Sequence, residues 1–434
     1  MALPMYFLYS ALLAVTLVLG SPYWIYEMLR HGKYRKGLRE RLGIVPSRIG
    51  SSGAGIWVHA VSVGEVLAVS ELVRRLRIER SQHRVVISTT TDTGQALACK
   101  LFGAENVFYF PLDFSFAVRR WISALQPELI VIAETEFWPN FLRCAREQGA
   151  RVAIVNARIS DRSLPGYRRW KRILRRVLAA VEMFLAQTPE DAKRLVQIGA
   201  PEGRVFVGGN LKYDVATPTA APILGQLRKS FAESEAGPLL VCGSTVEGEE
   251  AVLIEAFKNV QARYSSAVML LAPRHPQRFD EVAELLERSG VPSRRRSEWD
   301  GEGLKGSVLL IDSIGELSSL YALADVVFVG GSLVPRGGHN IIEPAQHGVP
   351  IVVGPHTENF RDIVGLFLAK GGVRVVSSEE LAAELLRLLE NDSERAAFGR
   401  RAAETLRSQQ GATEFTLAKL RGLLAERSRE ATWA

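Results

Sequence analysis

Residues 6–26 read YFLYSALLAVTLVLGSPYWIY, without one charged side chain. A helix needs about 20 such residues to cross a bilayer. Aromatic residues stand at both ends of this run, as they do at membrane–water interfaces. Pro22 is expected to kink or end the helix, so a span and an interfacial anchor both fit. A buried core helix is the plainer alternative. Arg30, His31, Lys33, Arg35, Lys36, Arg39 and Arg41 follow, and basic residues on that flank keep it cytoplasmic. No basic residue precedes the run, which disfavours a cleaved signal peptide.

Beyond the anchor, short apolar runs alternate with helically periodic ones. Strands are expected at 56–60, 84–88, 107–110, 129–133, 152–156, 183–186 and 205–207. Between them, 65–77 carries Val66, Val69, Leu72, Val73 and Leu76 on one helical face. Residues 93–102 and 139–148 also read as helices. Thr188-Pro189-Glu190-Asp191 opens another, with an N-cap, a proline at the first helical position and an acidic first turn. Residues 215–222, VATPTAAP, read as a linker, after which the alternation restarts. Strands are expected at 238–242, 267–272, 308–311, 326–329 and 350–353, a polar surface loop at 294–306, and terminal helices at 379–389 and beyond 393. Two successive βα arrays predict an α/β protein of two Rossmann-like, doubly wound domains facing a central cleft. The expected division is an anchor over 1–30, a first domain over 31–214, a linker over 215–236, a second domain over 237–410 and a terminal helix over 411–434.

Composition narrows the class. The chain has 434 residues, 47% hydrophobic and 23% charged, which excludes a disordered chain. Three cysteines, Cys99, Cys144 and Cys242, lack metal-ligand spacing and point to a reducing compartment. A net charge of +7 implies an anionic partner. No segment resembles a nucleic-acid reader, so lipid or a phosphorylated substrate is favoured.

Doubly wound sheets bind ligands at the carboxyl ends of their strands, so chemistry is sought in the strand-to-helix loops. In the first array, Ala60-Val61-Ser62-Val63-Gly64-Glu65 puts a carboxylate in a first helical turn. There it is either a general base for a hydroxyl or a partner of the helix dipole. Glu134 and Glu136 follow the apolar run 129–133, an unusual pair after a strand. Lys212, in GGNLKYD, either reaches a ligand or is a surface charge. Arg158, Arg162, Arg168, Arg169, Lys171, Arg172, Arg175 and Arg176 form a basic stretch interleaved with Trp170, Ile173 and Leu174. It is a solvated helix face or a docking face for anionic lipid headgroups. In the second array, Gly243-Ser244-Thr245 offers backbone N–H groups to phosphate. Arg274, beside His275, can clamp a phosphate. Ile314-Gly315-Glu316 and the long loop through Gly338, Asn340, Ile341, Ile342 and Glu343 follow later strands. Asn340 is expected to cap a helix, and Glu343 to meet a ribose diol.

The motifs HAVSVGE (59–65), ETEFWPN (134–140), NARIS (156–160), GNLKYD (209–214), PRHP (273–276), IGEL (314–317) and GGSLVPRGGHNIIEP (330–344) occur in this order. In them the chain resembles the 3-deoxy-D-manno-octulosonic acid (Kdo) transferases of lipid A biosynthesis, over nearly its whole length. The resemblance implies a GT-B glycosyltransferase fold and an inverting transfer of Kdo from CMP-Kdo to a lipid A precursor, lipid IVA, in lipopolysaccharide synthesis. By similarity Glu65 is the general base, and Glu134 and Lys212 stabilise the transition state. Arg274 and His275, Ile314 to Glu316, and Asn340 to Glu343 bind CMP. The implied location is the cytoplasmic face of the inner membrane. No Asp-x-Asp occurs in the sequence, so neither metal nor cofactor is expected. The rival readings are a GT-B enzyme using a UDP-sugar and a non-catalytic nucleotide-sugar binder.

Overall fold

A computed structural model of the chain describes residues 3–31, 36–50, 55–214 and 221–432, with side chains over 5–30, 36–49, 55–214 and 221–425. Lys33 and Arg35 of the basic flank, the His31 side chain and linker residues 215–220 lie outside the described residues. The chain divides into two compact units: Met1–Val215 with Gln410–Ala434, and Ala216–Gln409.

The first unit is built on seven strands: β1 Ile56–His59, β2 Val85–Thr89, β3 Val107–Tyr109, β4 Leu129–Ala133, β5 Arg151–Ala157, β6 Met183–Ala186 and β7 Val205–Val207. All pairings are parallel, in the order β3-β2-β1-β4-β5-β6-β7. A parallel sheet is covered on both faces, so its strands read as unbroken apolar runs. IWVH, VVIST and LIVIA are buried at every residue. Alternate side chains feed two core clusters. Trp57, Phe108, Trp121 and Phe141 belong to one; Val58, Val69, Leu72 and Leu417 belong to the other.

Leu417 comes from the helix Ala412–Thr432, expected to stand alone but packed in this unit with Leu420, Leu423 and Leu424 buried. The Asp214 carboxylate holds its start, accepting the N–H groups of Gly411 and Thr413 at 2.8 and 2.5 Å. A helix that the sequence reading lacked, Ser115–Leu125, buries Ala117, Val118, Trp121, Ile122 and Leu125.

The apolar helix spans Leu3–His31 and runs through Pro22, correcting the expected break. A proline leaves the carbonyl four residues back without its donor. The Ser21 hydroxyl replaces it, donating to the Val18 carbonyl at 2.7 Å. By length and composition this helix can cross a membrane, and none of its apolar window is buried. Its early residues touch the first unit. Asn140 donates to the Ser10 hydroxyl at 3.0 Å, Tyr9 hydrogen-bonds Asp113, and the Arg143 guanidinium lies 4.8 Å from the Tyr6 ring.

The second unit has seven strands as well: β8 Leu239–Thr245, β9 Val268–Pro273, β10 Ser293–Arg295, β11 Val308–Leu310, β12 Val326–Val329, β13 Ile351–Val353 and β14 Arg374–Val375. They are parallel, ordered β10-β11-β9-β8-β12-β13-β14. β10 corrects the reading of 294–306 as a surface loop. An edge strand pairs on one side only and carries charges that deter further pairing, so it shows no apolar run. Trp299 and Leu304 of the same segment are buried. Within 215–236, read as linker, Ile223–Ser234 is a helix that buries Ile223, Leu227 and Ser230.

Strand order turns back between β1 and β4 in the first sheet and between β8 and β12 in the second, where the edge pair β10-β11 is also interchanged. In this architecture the loops leaving the two central strands diverge at such a point, and ligands usually bind there.

Candidate active site

In the first unit the loops after β1 and β4, at the switch point, carry Glu65 and Glu134. Glu65 stands in the first turn of the helix Val63–Glu79. Its carboxylate accepts the Val61 N–H at 2.8 Å and the Ser62 hydroxyl at 3.1 Å. These bonds favour the charged form, as the helix dipole does. Burial outweighs them, and the charges of Glu134 and Glu136 add to it, so Glu65 is pushed up to about 7. The carboxyl is thus poised where it exchanges protons at neutral pH. His59, which opens the same motif, takes no such part. It is fully buried, stacked on Phe110 at 3.9 Å, and burial lowers its pKa to about 3.

Glu134 leaves β4 with φ 58°, the left-handed region. Among the described residues, five other than glycine take that region, Glu134 included. Gln126 and Glu235 are helix C-caps, where it is common. The other three, Glu134, Asn156 and Ser244, stand at carboxyl ends of strands. Such a conformation costs about 1–3 kcal/mol and concentrates at functional sites. Lys212 reaches Glu134 from the loop after β7, with Nζ 3.3 Å from Oε1 and both side chains about one-third exposed. A polar chain sets that lysine. Asn156 Oδ1 accepts the Leu211 N–H at 3.0 Å, Asn210 Oδ1 accepts the Lys212 N–H at 3.0 Å, and Asn210 donates to Gln187 at 3.1 Å. Glu65, Glu134 and Lys212, expected from three separate loops, therefore lie together. Glu136 is half-buried, and burial raises its pKa.

The basic stretch begins beside the acidic loop. Arg158 and Thr135 exchange hydrogen bonds, with the Arg158 N–H at 3.2 Å from the Thr135 hydroxyl. It continues into the short helices Leu164–Arg169 and Lys171–Leu178. Arg168, Arg169, Arg172 and Arg176 are exposed, as is Trp170 at 59%. Tyr167 holds the first of these helices against Phe137 of the acidic loop, ring centroids 5.8 Å apart.

In the second unit Arg274 and His275 follow β9 and are exposed. The Arg274 side chain makes no hydrogen bond or ion pair among the described residues. Its charge acts on Glu343, Tyr321 and His339, which places these groups around it. Burial, then Arg274 and His275, lower His339 to about 4. The N-cap of the helix Ile342–Gln346 is Ile341, which has no side-chain cap bond, so Asn340 is not the expected cap; from the residue before, it accepts the Ile342 N–H at 3.1 Å and donates to Glu343 at 3.3 Å. Burial raises the Glu343 pKa.

Several of the other expected donor side chains are engaged within the protein. Ile341 and Ile342 are core side chains. Glu316 accepts from Ser313 and, at 3.2 Å, from Arg296. The Thr245 hydroxyl is buried and donates to Glu250 at 3.0 Å. Ile314 is 59% exposed, and Gly315 and Gly338 take positive φ of 97° and 75°.

Residues 36–215 match the family model of 3-deoxy-D-manno-octulosonic-acid transferase (kdotransferase), and residues 245–405 match that of glycosyl transferases group 1. The 3-deoxy-D-manno-octulosonic acid transferase of Haemophilus influenzae is 33% identical over 96% of this chain and 98% of its own. That of Bordetella pertussis is 40% identical over 86% of this chain and 90% of its own.

The chain belongs to the Kdo transferase family.

This Kdo transferase is a glycosyltransferase with the GT-B fold. The UDP-GlcNAc 2-epimerase of Neisseria meningitidis shares that fold at TM-score 0.51 and 12% identity, over 85% of this chain and 99% of the other. Two polar groups of the transferase escaped the sequence reading. His339 stood inside a quoted motif but was passed over for its neighbours. Glu249, four residues past the expected phosphate loop, looked like one of several charges opening a helix. Its burial is complete, and only the fold reveals that.

Proposed function

We propose that the enzyme transfers Kdo from CMP-Kdo to a phosphorylated lipid A precursor, lipid IVA, with inversion and with Glu65 as the general base. The observation that carries this reading is a buried carboxyl near neutrality, beside a Lys–Glu pair, at the switch point of the first sheet. Glu65 takes the proton of a primary hydroxyl of the acceptor. The hydroxyl oxygen then bonds to the anomeric carbon of Kdo, and the bond from that carbon to the phosphate oxygen breaks. CMP leaves with the electron pair. Lys212 offsets charge on the Kdo carboxylate or on the leaving phosphate, and Glu134 holds its ammonium until the donor arrives. Arg274, unpaired without ligand, takes the phosphate, and Glu343 takes the ribose.

No metal is assigned. A single phosphate next to Arg274 and His275 needs little further countercharge, and the chain lacks Asp-x-Asp. The long apolar helix serves as anchor, at the cytoplasmic face of the inner membrane, where a lipid acceptor and a soluble donor both reach the enzyme. Purified enzyme supplied with CMP-Kdo and lipid IVA is expected to form a Kdo-bearing lipid, in excess EDTA as well. Glu65→Gln, nearly isosteric but unable to take the proton, is expected to lose at least about 10²-fold in turnover while binding CMP normally. Near-normal turnover by that variant would remove Glu65 from the mechanism.

A further inference from the structure

The loop after β12 offers three successive backbone N–H groups, at Gly331, Ser332 and Leu333, with Gly331 in the left-handed region at φ 70°. Such a concavity of amides is a ready anion site and commonly takes a phosphate. Here it is already filled. Glu249 is fully buried. One of its carboxylate oxygens accepts Ser332 and Leu333 at 2.8 and 2.9 Å, and the other accepts Gly331 and Val246 at 2.7 and 3.0 Å. Val246 belongs to the loop after β8. One carboxylate therefore ties together the two loops that diverge at the switch point of the second sheet. A further clasp runs from the Gly330 N–H to the Gly243 carbonyl at 2.8 Å. Four charge-assisted hydrogen bonds give a buried carboxylate the partners it needs in the absence of a cation.

We propose that Glu249 is a positioning residue of the donor site, an internal anion that occupies the loop amides and locks the two glycine loops in register. The inference rests on reading the second unit as the CMP site. It has a chemical consequence. The amides at 331–333 are not free for the donor phosphate, which must be held by side chains, foremost Arg274. The same lock keeps the 330–344 loop, with His339, Asn340 and Glu343, at its distance from Arg274. Gly331 packs against that loop so closely that an added Cβ would stand 2.8 Å from His339.

The test uses the full-length enzyme in detergent. In Glu249→Gln the amide nitrogen must face one of the two N–H pairs, so two bonds become donor against donor. CMP is expected to bind at least tenfold more weakly, with the KM for the lipid acceptor unchanged and the melting temperature showing a folded protein. Equal or tighter CMP binding by this variant would overturn the proposal, since freed amides would then be serving the phosphate. Hydrogen exchange on the wild-type enzyme needs no variant to fold. The 331–333 amides should be protected without CMP and gain nothing when it binds; protection that appears only with CMP would equally overturn the proposal. A wild-type enzyme that binds UDP and not CMP would instead sink the donor assignment and leave the carboxylate lock standing.

Discussion

A carboxyl with its proton half on at pH 7 is a stronger base than one at the ordinary value, and is still ionised often enough to act. Glu65 owes that state first to burial and then to the charges of Glu134 and Glu136. In the proposed mechanism only the ionised form takes the hydroxyl proton, so kcat/KM for the lipid should rise with pH along a limb with an apparent pKa about 7. Glu134→Gln removes one of the neighbouring charges and releases Lys212. Both changes favour ionised Glu65, so the limb should move to lower pH even though turnover falls. A limb that stays in place or moves up would separate the two carboxylates. The same shift bears on stability. The folded pKa lies above the unfolded one, so the protonated form favours the fold. That contribution is complete below the ordinary glutamate range and disappears as pH rises through about 7. The sequence alone placed Glu65, Glu134 and Lys212 on strand-to-helix loops, since each follows an apolar run. Their convergence needed the strand order, and the pKa of Glu65 needed the burial around it. Glu249 was illegible for the same reason: a helix-opening acid reads alike whether it faces water or four amides.

Strands were the most legible elements, because a parallel strand buried on both faces leaves an unbroken apolar run. β4, β6, β7 and β12 begin and end at the residues the pattern marks. The edge strand β10 escaped, its polar residues being what an edge tolerates. The helix Ser115–Leu125 has apolar positions at helical spacing, but its N-cap residue, Phe114, provides no side-chain cap, so nothing marks its start. The terminal helix Ala412–Thr432 was legible as a helix and not as part of the first unit. Its membership rests on contacts with residues far earlier in the chain, from Asp214 back to Glu79, which Arg421 meets at 2.8 Å. Asp214 is the hinge of that membership. Asp214→Ala removes the acceptor of two N–H groups at the helix start and should destabilise the first unit by about 1–2 kcal/mol. Urea unfolding of the variant, followed by the fluorescence of the buried Trp57 and Trp121, should show the loss. An unchanged midpoint would mean that Leu417 and Leu420 hold the helix without its cap.

The features that would suit a membrane surface all fall in one unit. The apolar helix Leu3–His31, the basic stretch and Glu65 belong to the first, and Arg274, Glu249 and Glu343 to the second. A lipid acceptor keeps its acyl chains in the bilayer, so the unit proposed to activate its hydroxyl has reason to sit at the surface. The proposed donor is soluble, and the unit proposed to bind it needs no such feature. Trp170 and Ile173, exposed among Arg168, Arg169, Arg172 and Arg176, combine apolar contact with charge as interfacial helices do. Each Lys or Arg near an anionic surface contributes about 1 kcal/mol. Neutralising these four arginines together should therefore raise the apparent KM for the lipid, measured in vesicles containing anionic lipid. The KM for CMP-Kdo should hardly move, and added salt should narrow the difference between variant and wild type. A solvated helix without a partner would leave both constants where they were. A rise confined to CMP-Kdo would mean that the stretch serves the donor, and the division of labour between the two units would have to be redrawn.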